Sequence, residues 1–265
     1  MSLFNVTANQ ISEFNATGYL LVRQLFDPEE TQLLIRIAKQ DRAMDQAYAT
    51  KDAQGGVSRL SLRNALSDDI YSACVRCERV VATMEKLLGD EVYHFHHKMM
   101  LKEPRVGGAW EWHQDYGYWY KNNACLFPDM ASCMIAVDRA TKANGCLQVI
   151  KGSHKLGRVE HGTTGTQTGA DMERVEAALQ RLELVYCELE PGDALFFHSN
   201  LLHRSDQNKS PNPRWSLICC YNTKHNDPFK VIPNSHPNYH YLERWPDAKI
   251  KEIGRRQLAA ESDRA

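Results

Sequence analysis

The run Trp112-His113-Gln114-Asp115-Tyr116 places a histidine and an aspartate two residues apart, and His203 and then Arg214 follow far downstream. Side chains at i and i+2 leave one face of an extended strand, so His113 and Asp115 can present two donors to one point. A remote histidine then completes three facial ligands around one metal ion. This makes a demand on topology, because strands distant in sequence must meet in space. A jelly roll meets it, since Greek-key connections return late strands beside early ones.

The punctuation of the chain agrees. From Glu91 onward, short apolar segments are separated by Gly, Pro and Asn, and strands are predicted at 91–101, 110–116, 131–138, 146–150, 184–189, 194–198 and 214–222. Before that, Thr7 with Gln10 forms a capping box for a helix to about Thr17, ended by Gly18, and Tyr19 to Val22 reads as a buried strand. A second helix starts at Asp27-Pro28, and a third is predicted from Asp68 to Leu88, with Ile70, Cys74, Cys77, Val81 and Met84 at helical spacing. Val57 to Leu62 is strand-like. The Gly/Thr-rich segment His161 to Ala170 and the helical stretch Asp171 to Leu182 suggest a lid beside a site mouth. Charged residues from about Trp245 to Ala265 suggest a cap that frays at its end.

Composition bounds the rest. With 265 residues, 43% of them hydrophobic, the chain can bury one sizeable core, so one catalytic domain is expected over residues 1–265. It divides into helical support over 1–90, a jelly-roll core over about 91–225 and a C-terminal cap over 226–265. The expected class is mainly β with flanking helices, a double-stranded β-helix of cupin-like type. A net charge of −1 without charge runs argues against nucleic acid and membrane surfaces and for a small-molecule partner. A monomer or homodimer is expected. Residues Met1 to Gln10 lack a secretory pattern, and the longest apolar runs, such as Met130 to Val137, fall well short of the ~20 residues of a membrane helix. The eight cysteines include a Cys74-x-x-Cys77 pair on the third predicted helix, with no second pair at zinc-finger spacing. Reduced, partly buried thiols and a cytoplasmic location follow.

Pro211-Asn212-Pro213 turns the chain into a strand on which Arg214, Ser216, Ile218 and Cys220 share a face. If that face points into the barrel, Arg214 is a buried cation in need of an anion. A guanidinium forks onto a carboxylate, so the far end of a dicarboxylate co-substrate suits it; a structural carboxylate, Asp193 or Asp206, is the other partner to weigh. Three facial ligands plus this arginine point to an oxygenase using Fe(II), 2-oxoglutarate and O2.

Four ordered blocks strengthen this: WHQDYGYW (Trp112 to Trp119), MASCMIAVDRATKANGCLQVIKGSH (Met130 to His154), PGDALFFHSNLLHRS (Pro191 to Ser205) and PNPRWSL (Pro211 to Leu217). They resemble the phytanoyl-CoA dioxygenase family, in its ectoine-hydroxylase-related branch, over about Ile11 to Lys230. The resemblance implies that His113, Asp115 and His203 bind Fe(II) and that Arg214 and Ser216 hold the C5 carboxylate of 2-oxoglutarate. His198 is the competing histidine in the third block; the family pattern and the spacing to Arg214 favour His203. Lys151 stands where relatives usually carry Pro. In related halogenases a small residue replaces the carboxylate ligand, so Asp115 implies hydroxylation of a small metabolite, with release of succinate and CO2.

His94, His96, Lys98 and Met100 fall on one face of the strand preceding the HxD, so Lys98 is a candidate for the co-substrate and His96 for the substrate; a solvated edge strand is the other reading. Tyr116, Tyr118 and Trp119 are substrate candidates or core aromatics, and a Trp at position 119 is expected near substrate in the resembled branch. If the strand continues, Tyr118 and Tyr120 follow Asp115; a turn at Gly117 brings in Trp119 instead. Arg63, with Asn64, and His161, with Arg158, complete the substrate candidates. Competing readings are a cupin-like metal enzyme using the same triad without 2-oxoglutarate, and a non-catalytic ligand-binding relative.

Overall fold

The first two predicted helix starts form by reciprocal capping, in which a side chain accepts an otherwise unpaired first-turn N–H while a residue three positions on returns the bond. Thr7 and Gln10 do this for α1 (Ala8–Thr17), which Gly18 ends in the left-handed conformation at φ 85°. Asp27 and Glu30 do it for α2 (Pro28–Gln40), after β1 (Tyr19–Val22). The computed structural model describes residues 4–45, 47–52, 54–164, 167–233 and 235–262. In chain order there follow β2 (Tyr48–Lys51), β3 (Val57–Arg63), α3 (Ile70–Arg76), α4 (Glu78–Leu88), β4 (Val92–Lys102), β5 (Trp110–His113), α5 (Asp115–Asn122), β6 (Met130–Ala136) and β7 (Leu147–Ile150). The chain continues with β8 (His161–Thr164), β9 (Gln167–Ala170), α6 (Met172–Leu179), β10 (Leu184–Cys187), β11 (Ala194–His198), β12 (His203–Ser205), β13 (Arg214–Thr223) and α7 (Lys249–Ser262).

Two antiparallel sheets make the core. The major sheet runs β1-β11-β6-β13-β4-β3-β2, the minor sheet β10-β7-β12-β5, and β8-β9 form a separate hairpin. The major sheet is covered on both faces, which is why β6 and β11 read as continuous apolar runs rather than alternating ones. One face, with Cys133, Ile135, Phe196, Leu217 and Cys219, packs against Leu34, Ile37, Val80 and Ile253 of the helices. The other, with Met134, Leu195 and Phe197, meets Leu147, Val149 and Cys187 of the minor sheet. The double-stranded β-helix is thus formed, with helices on one side of it.

Three expectations are corrected, and one reading left open is decided. The single helix over 68–88 is broken at Cys77, whose backbone is extended at φ −62° and ψ 140°. Trp245 inserts there, its N–H donating to Arg76 O and its carbonyl accepting from Glu78 N–H. The strand expected over 110–116 stops at His113, and α5 begins at Asp115. The strand-like Val57–Leu62 segment does form β3, and an unexpected β2 pairs with it to extend the major sheet within the stretch expected as helical support. Finally, β4 is an interior strand between β13 and β3 rather than a solvated edge, and its register shifts so that Cys220 faces His96 while Tyr221 faces His94. That bulge sends His94 to the helix-covered face, where it bonds His97 at 3.0 Å, and leaves His96 on the inner face.

Candidate active site

His113 ends β5 and His203 begins β12, and the two are register partners in the ladder joining those strands. Asp115 enters from the first turn of α5, one residue after the chain leaves β5. The ligand atoms of His113, Asp115 and His203 lie within 4.8 Å of one another, and all three residues are buried. Asp115 Oδ1 stands 3.8 Å from His113 Nε2 and 4.0 Å from His203 Nε2.

The tautomers follow from the partners. His113 Nδ1 bonds Glu111 O at 2.7 Å, and His203 Nδ1 bonds Leu201 O at 2.8 Å. A carbonyl only accepts, so each Nδ1 carries the proton and each Nε2 keeps its lone pair aimed at the third ligand. Burial pushes both imidazoles toward the neutral form, well below the ordinary value for His113. Neutral imidazole is the form that ligates metal. Ser132 Oγ donates to Asp115 Oδ2 at 3.2 Å, leaving Oδ1 for the cluster. A neutral-imidazole, carboxylate, neutral-imidazole set on one side of a point fits the facial triad of Fe(II).

His198, the competing histidine, is turned away. Its Nδ1 accepts the N–H of Asn200 at 3.0 Å and its ring lies near Phe14 and His154.

Arg214 is buried at the start of β13, and its one hydrogen bond among the described residues sends Nη1 to Gly145 O at 2.6 Å. Among the described residues its Nε has no partner, nor has Ser216 Oγ two residues along the same face. Neither carboxylate considered for it is engaged there: Asp193 pairs with Arg23 at 2.6 Å, and Asp206 accepts from Gln148 and lies 3.6 Å from Arg204. Burial lowers the Arg214 guanidinium to about 10. A buried cation and a hydroxyl with open donors, on a strand of the major sheet while the histidines stand on the minor one, fit the distal carboxylate of a dicarboxylate.

A cleft of about 540 Å³ opens onto His113 and Asp115, walled by Trp110, Tyr118 and Trp119, with His96, Lys98 and His236 opposite. His96 stacks on His236 at 4.4 Å between ring centroids, and Trp119 meets His96 edge-on. Burial keeps both imidazoles neutral, His236 at about 4. Among the described residues Lys98 makes no hydrogen bond or ion pair, and it faces Ile218 across the ladder.

Three substrate candidates are not in the cleft lining. Arg63 is held by Asp41 at 2.9 Å and Asp69 at 2.8 Å and lies over the Tyr71 ring. Tyr116 points into the core and donates to Leu126 O at 2.5 Å, because the helical turn at Asp115 rotates positions 116 and 118 apart. The same turn brings Tyr118 and Trp119 both to the cleft, which strand alternation does not allow. His161 uses both nitrogens structurally, Nδ1 on Val159 O at 2.8 Å and Nε2 accepting Gln114 N–H at 2.9 Å. The expected lid is the β8–β9 hairpin plus α6, and Gln167 ties it to β5 through Glu111 N–H and Ala109 O.

Sequence reasoning passed over Gln114, the middle residue of the HxD. Its side chain donates to Gly157 O and Asn200 O and accepts from Val159 N–H, each within 2.8 Å. It passed over His236 as well, which arrives from the segment after the last strand and bonds Asn64 Oδ1 at 2.9 Å. Neither has a periodicity signal to betray it.

Among the described residues, no helix is long and apolar enough to cross a membrane. The family model for phytanoyl-CoA dioxygenase (PhyH) matches residues 14–216. L-proline trans-4-hydroxylase of Streptomyces griseoviridis is 29% identical over 233 residues, spanning 81% of this chain and 86% of that one. Ectoine dioxygenase of Bordetella parapertussis is 24% identical over 258 residues, spanning 88% and 82%. Among solved structures, EctD from S. alaskensis with 2-oxoglutarate and 5-hydroxyectoine superposes with a TM-score of 0.75 at 24% identity, over 91% of this chain and 89% of that one. The cofactor set is Fe(II), 2-oxoglutarate and O2, and the chain belongs to the phytanoyl-CoA dioxygenase family of 2-oxoglutarate-dependent non-haem iron dioxygenases.

Proposed function

We propose that His113, Asp115 and His203 hold the iron, that Arg214 and Ser216 hold the distal carboxylate of 2-oxoglutarate, and that Lys98 adds a cation toward that co-substrate from the cleft wall. The observation that carries this reading is the convergence of two proton-fixed imidazoles and one carboxylate within 4.8 Å, together with a buried arginine whose Nε is unpartnered among the described residues. The substrate is a small ring-bearing amino or imino acid, taken up between Trp119, Tyr118 and His96. Its support is the cleft of about 540 Å³ and the named relatives, which act on L-proline and ectoine.

Bound iron with its co-substrate and O2 supplies the oxidising power: one oxygen atom hydroxylates a substrate C–H bond, and the other enters succinate as CO2 leaves. The protein's share is placement. Ser132 orients Asp115, the two backbone carbonyls orient the imidazoles, and Trp119, Tyr118 and Trp110 exclude water around the C–H bond to be broken. The chain works as a single catalytic domain, monomeric or homodimeric. Its eight cysteines, all unpaired and buried, suit the reducing cytoplasm.

The test is succinate formation with Fe(II), ascorbate, O2 and a panel opening with L-proline and ectoine, run beside His113→Ala and Arg214→Ala. Stimulation by a panel member in the wild type and in neither variant is expected. If the wild type behaves like both variants across the panel, the assignment fails. If 2-oxoglutarate neither binds nor perturbs the Fe(II) spectrum, the triad serves a different metal chemistry.

A further inference from the structure

A stretch of chain outside both sheets helps to close the cleft opposite the triad. Residues 228–239 form neither helix nor strand among the described residues, and they carry Pro228, Pro233 and Pro237. They are tied at both ends. Phe229 N–H donates to Ala124 O at 3.1 Å, Asn238 Nδ2 donates to Pro228 O at 3.0 Å, and Tyr239 packs edge-on against Tyr93 of β4 with 5.6 Å between ring centroids. Asn123, just past α5, holds Ser235 between those ties. Pro237 biases the backbone of the residue before it, His236, toward the extended form.

His236 comes from this strap into the cleft wall. Its Nδ1 bonds Asn64 Oδ1, just past β3, at 2.9 Å. An amide oxygen only accepts, so Nδ1 carries the proton and Nε2 keeps its lone pair. His96, 3% exposed, lies against it at an interplanar angle of 24°, and Phe95 stands 4.4 Å away between centroids, so the plane of the ring is set from two sides. Burial and then Lys98 disfavour the imidazolium, and no acid acts against them. Among the described residues nothing donates to Nε2. A ligand that fills the cleft displaces water from that lone pair and must return a donor to it.

Lys98 narrows which donor that is. A bare ammonium brought near it is repelled, whereas an ammonium with its own carboxylate close by carries the offsetting charge with it. We infer that His236 is a specificity-determining residue: its Nε2 accepts an N–H from the nitrogen next to the substrate's carboxylate, so the cleft takes zwitterionic amino and imino acids that keep a hydrogen on that nitrogen. The N,N-dimethyl counterpart has the same charges and no hydrogen to give, and the wall rejects it. This deepens the amino or imino acid reading given above and rests on it.

The experiment titrates L-proline, ectoine and N,N-dimethyl-L-proline, without O2, into the protein loaded with Fe(II) and 2-oxoglutarate, following the shift of the charge-transfer absorption. Wild type is compared with His236→Leu, which removes the acceptor, and His236→Gln, whose side-chain oxygen keeps one. Wild type should bind L-proline, ectoine or both about tenfold or more tightly than N,N-dimethyl-L-proline. His236→Leu should weaken the bound N–H ligand by about tenfold or more, and His236→Gln by about threefold or less. The affinity for 2-oxoglutarate should be the same in all three proteins. Wild-type binding in His236→Leu overturns the inference, as does equal binding of L-proline and its N,N-dimethyl form. Equal weakening in both variants, or a parallel loss of 2-oxoglutarate affinity, makes His236 a packing residue of the strap and overturns it too. A wild type that binds 2-oxoglutarate but responds to none of the three ligands overturns the amino or imino acid reading and this inference together.

Discussion

The backbone N–H of Gln114 donates to His161 Nε2 at 2.9 Å, so the peptide between His113 and Asp115 is clamped by the hairpin segment that covers it. Metal geometry and cover are therefore one mechanical unit. Gln114 reinforces the link from its other side, gripping Gly157 and Val159 just ahead of the hairpin.

Gly117→Ala should disturb the site without touching a ligand. A Cβ at position 117 would stand 2.2 Å from the His161 ring, which must move and release Gln114 N–H. Displacement of Asp115 by a fraction of an ångström should then lower kcat by about tenfold or more. Fe(II) affinity and turnover, read against an unchanged far-UV circular dichroism spectrum, check this; wild-type kcat would show that the clamp is not needed.

Gln114→Ala should cost stability. The side chain is 0% exposed and makes three hydrogen bonds, so its removal leaves buried backbone groups unpaired. A loss of about 2–4 kcal/mol is expected in urea unfolding of the metal-free protein.

Acid should destabilise the metal-free protein early. His94 and His97 are buried neutral, held at about 2 and about 4 by burial, and His198 likewise at about 4. Each folded value lies below the unfolded one near 6.5, so the unfolded chain binds more protons as pH falls. Their contribution is intact above about 6.5 and declines below it, at about 1.4 kcal/mol per pH unit for each histidine until its folded value is reached. His225, raised by Asp90 and Asp129, acts in the opposite sense, but it is exposed and screened. The urea midpoint should fall steadily from pH 7 to 5, and a flat profile would contradict the buried neutral assignment.

Arg214→Lys should separate charge from geometry. Lysine keeps the cation but has no planar fork for a carboxylate, and the open Nε is lost. KM for 2-oxoglutarate should rise by about tenfold or more while kcat at saturation changes much less.

Legibility differed by the range of the forces involved. Capping at Thr7, the helix start at Asp27 and the apolar runs of β6 and β11 rest on neighbours in sequence, and they formed where expected. Donor chemistry singled out His113, Asp115 and His203, which do converge, and strand period put Arg214 and Ser216 on one face of β13; the i, i+2 strand argument did not hold for Asp115, which enters from the first turn of α5. The break at Cys77 was not, since its cause is Trp245, brought in from the far end of the chain. Arg63 and His161 carry functional residue types, but Asp41, Asp69 and the Gln114 peptide claim them first.

By itself the sequence determined which groups could ligate iron and grip a dicarboxylate, since those properties belong to side chains and to the two-residue period of a strand. Only the tertiary structure decided which faces meet. The bulge in β4 parts His94 from His96, the helix at Asp115 turns Tyr116 inward and Trp119 toward the cleft, and the segment after β13 brings His236 into the cleft wall. A one-residue shift in register, or a change from strand to helix, redirects every later side chain, and the packing that selects between such alternatives comes from residues far away in the chain.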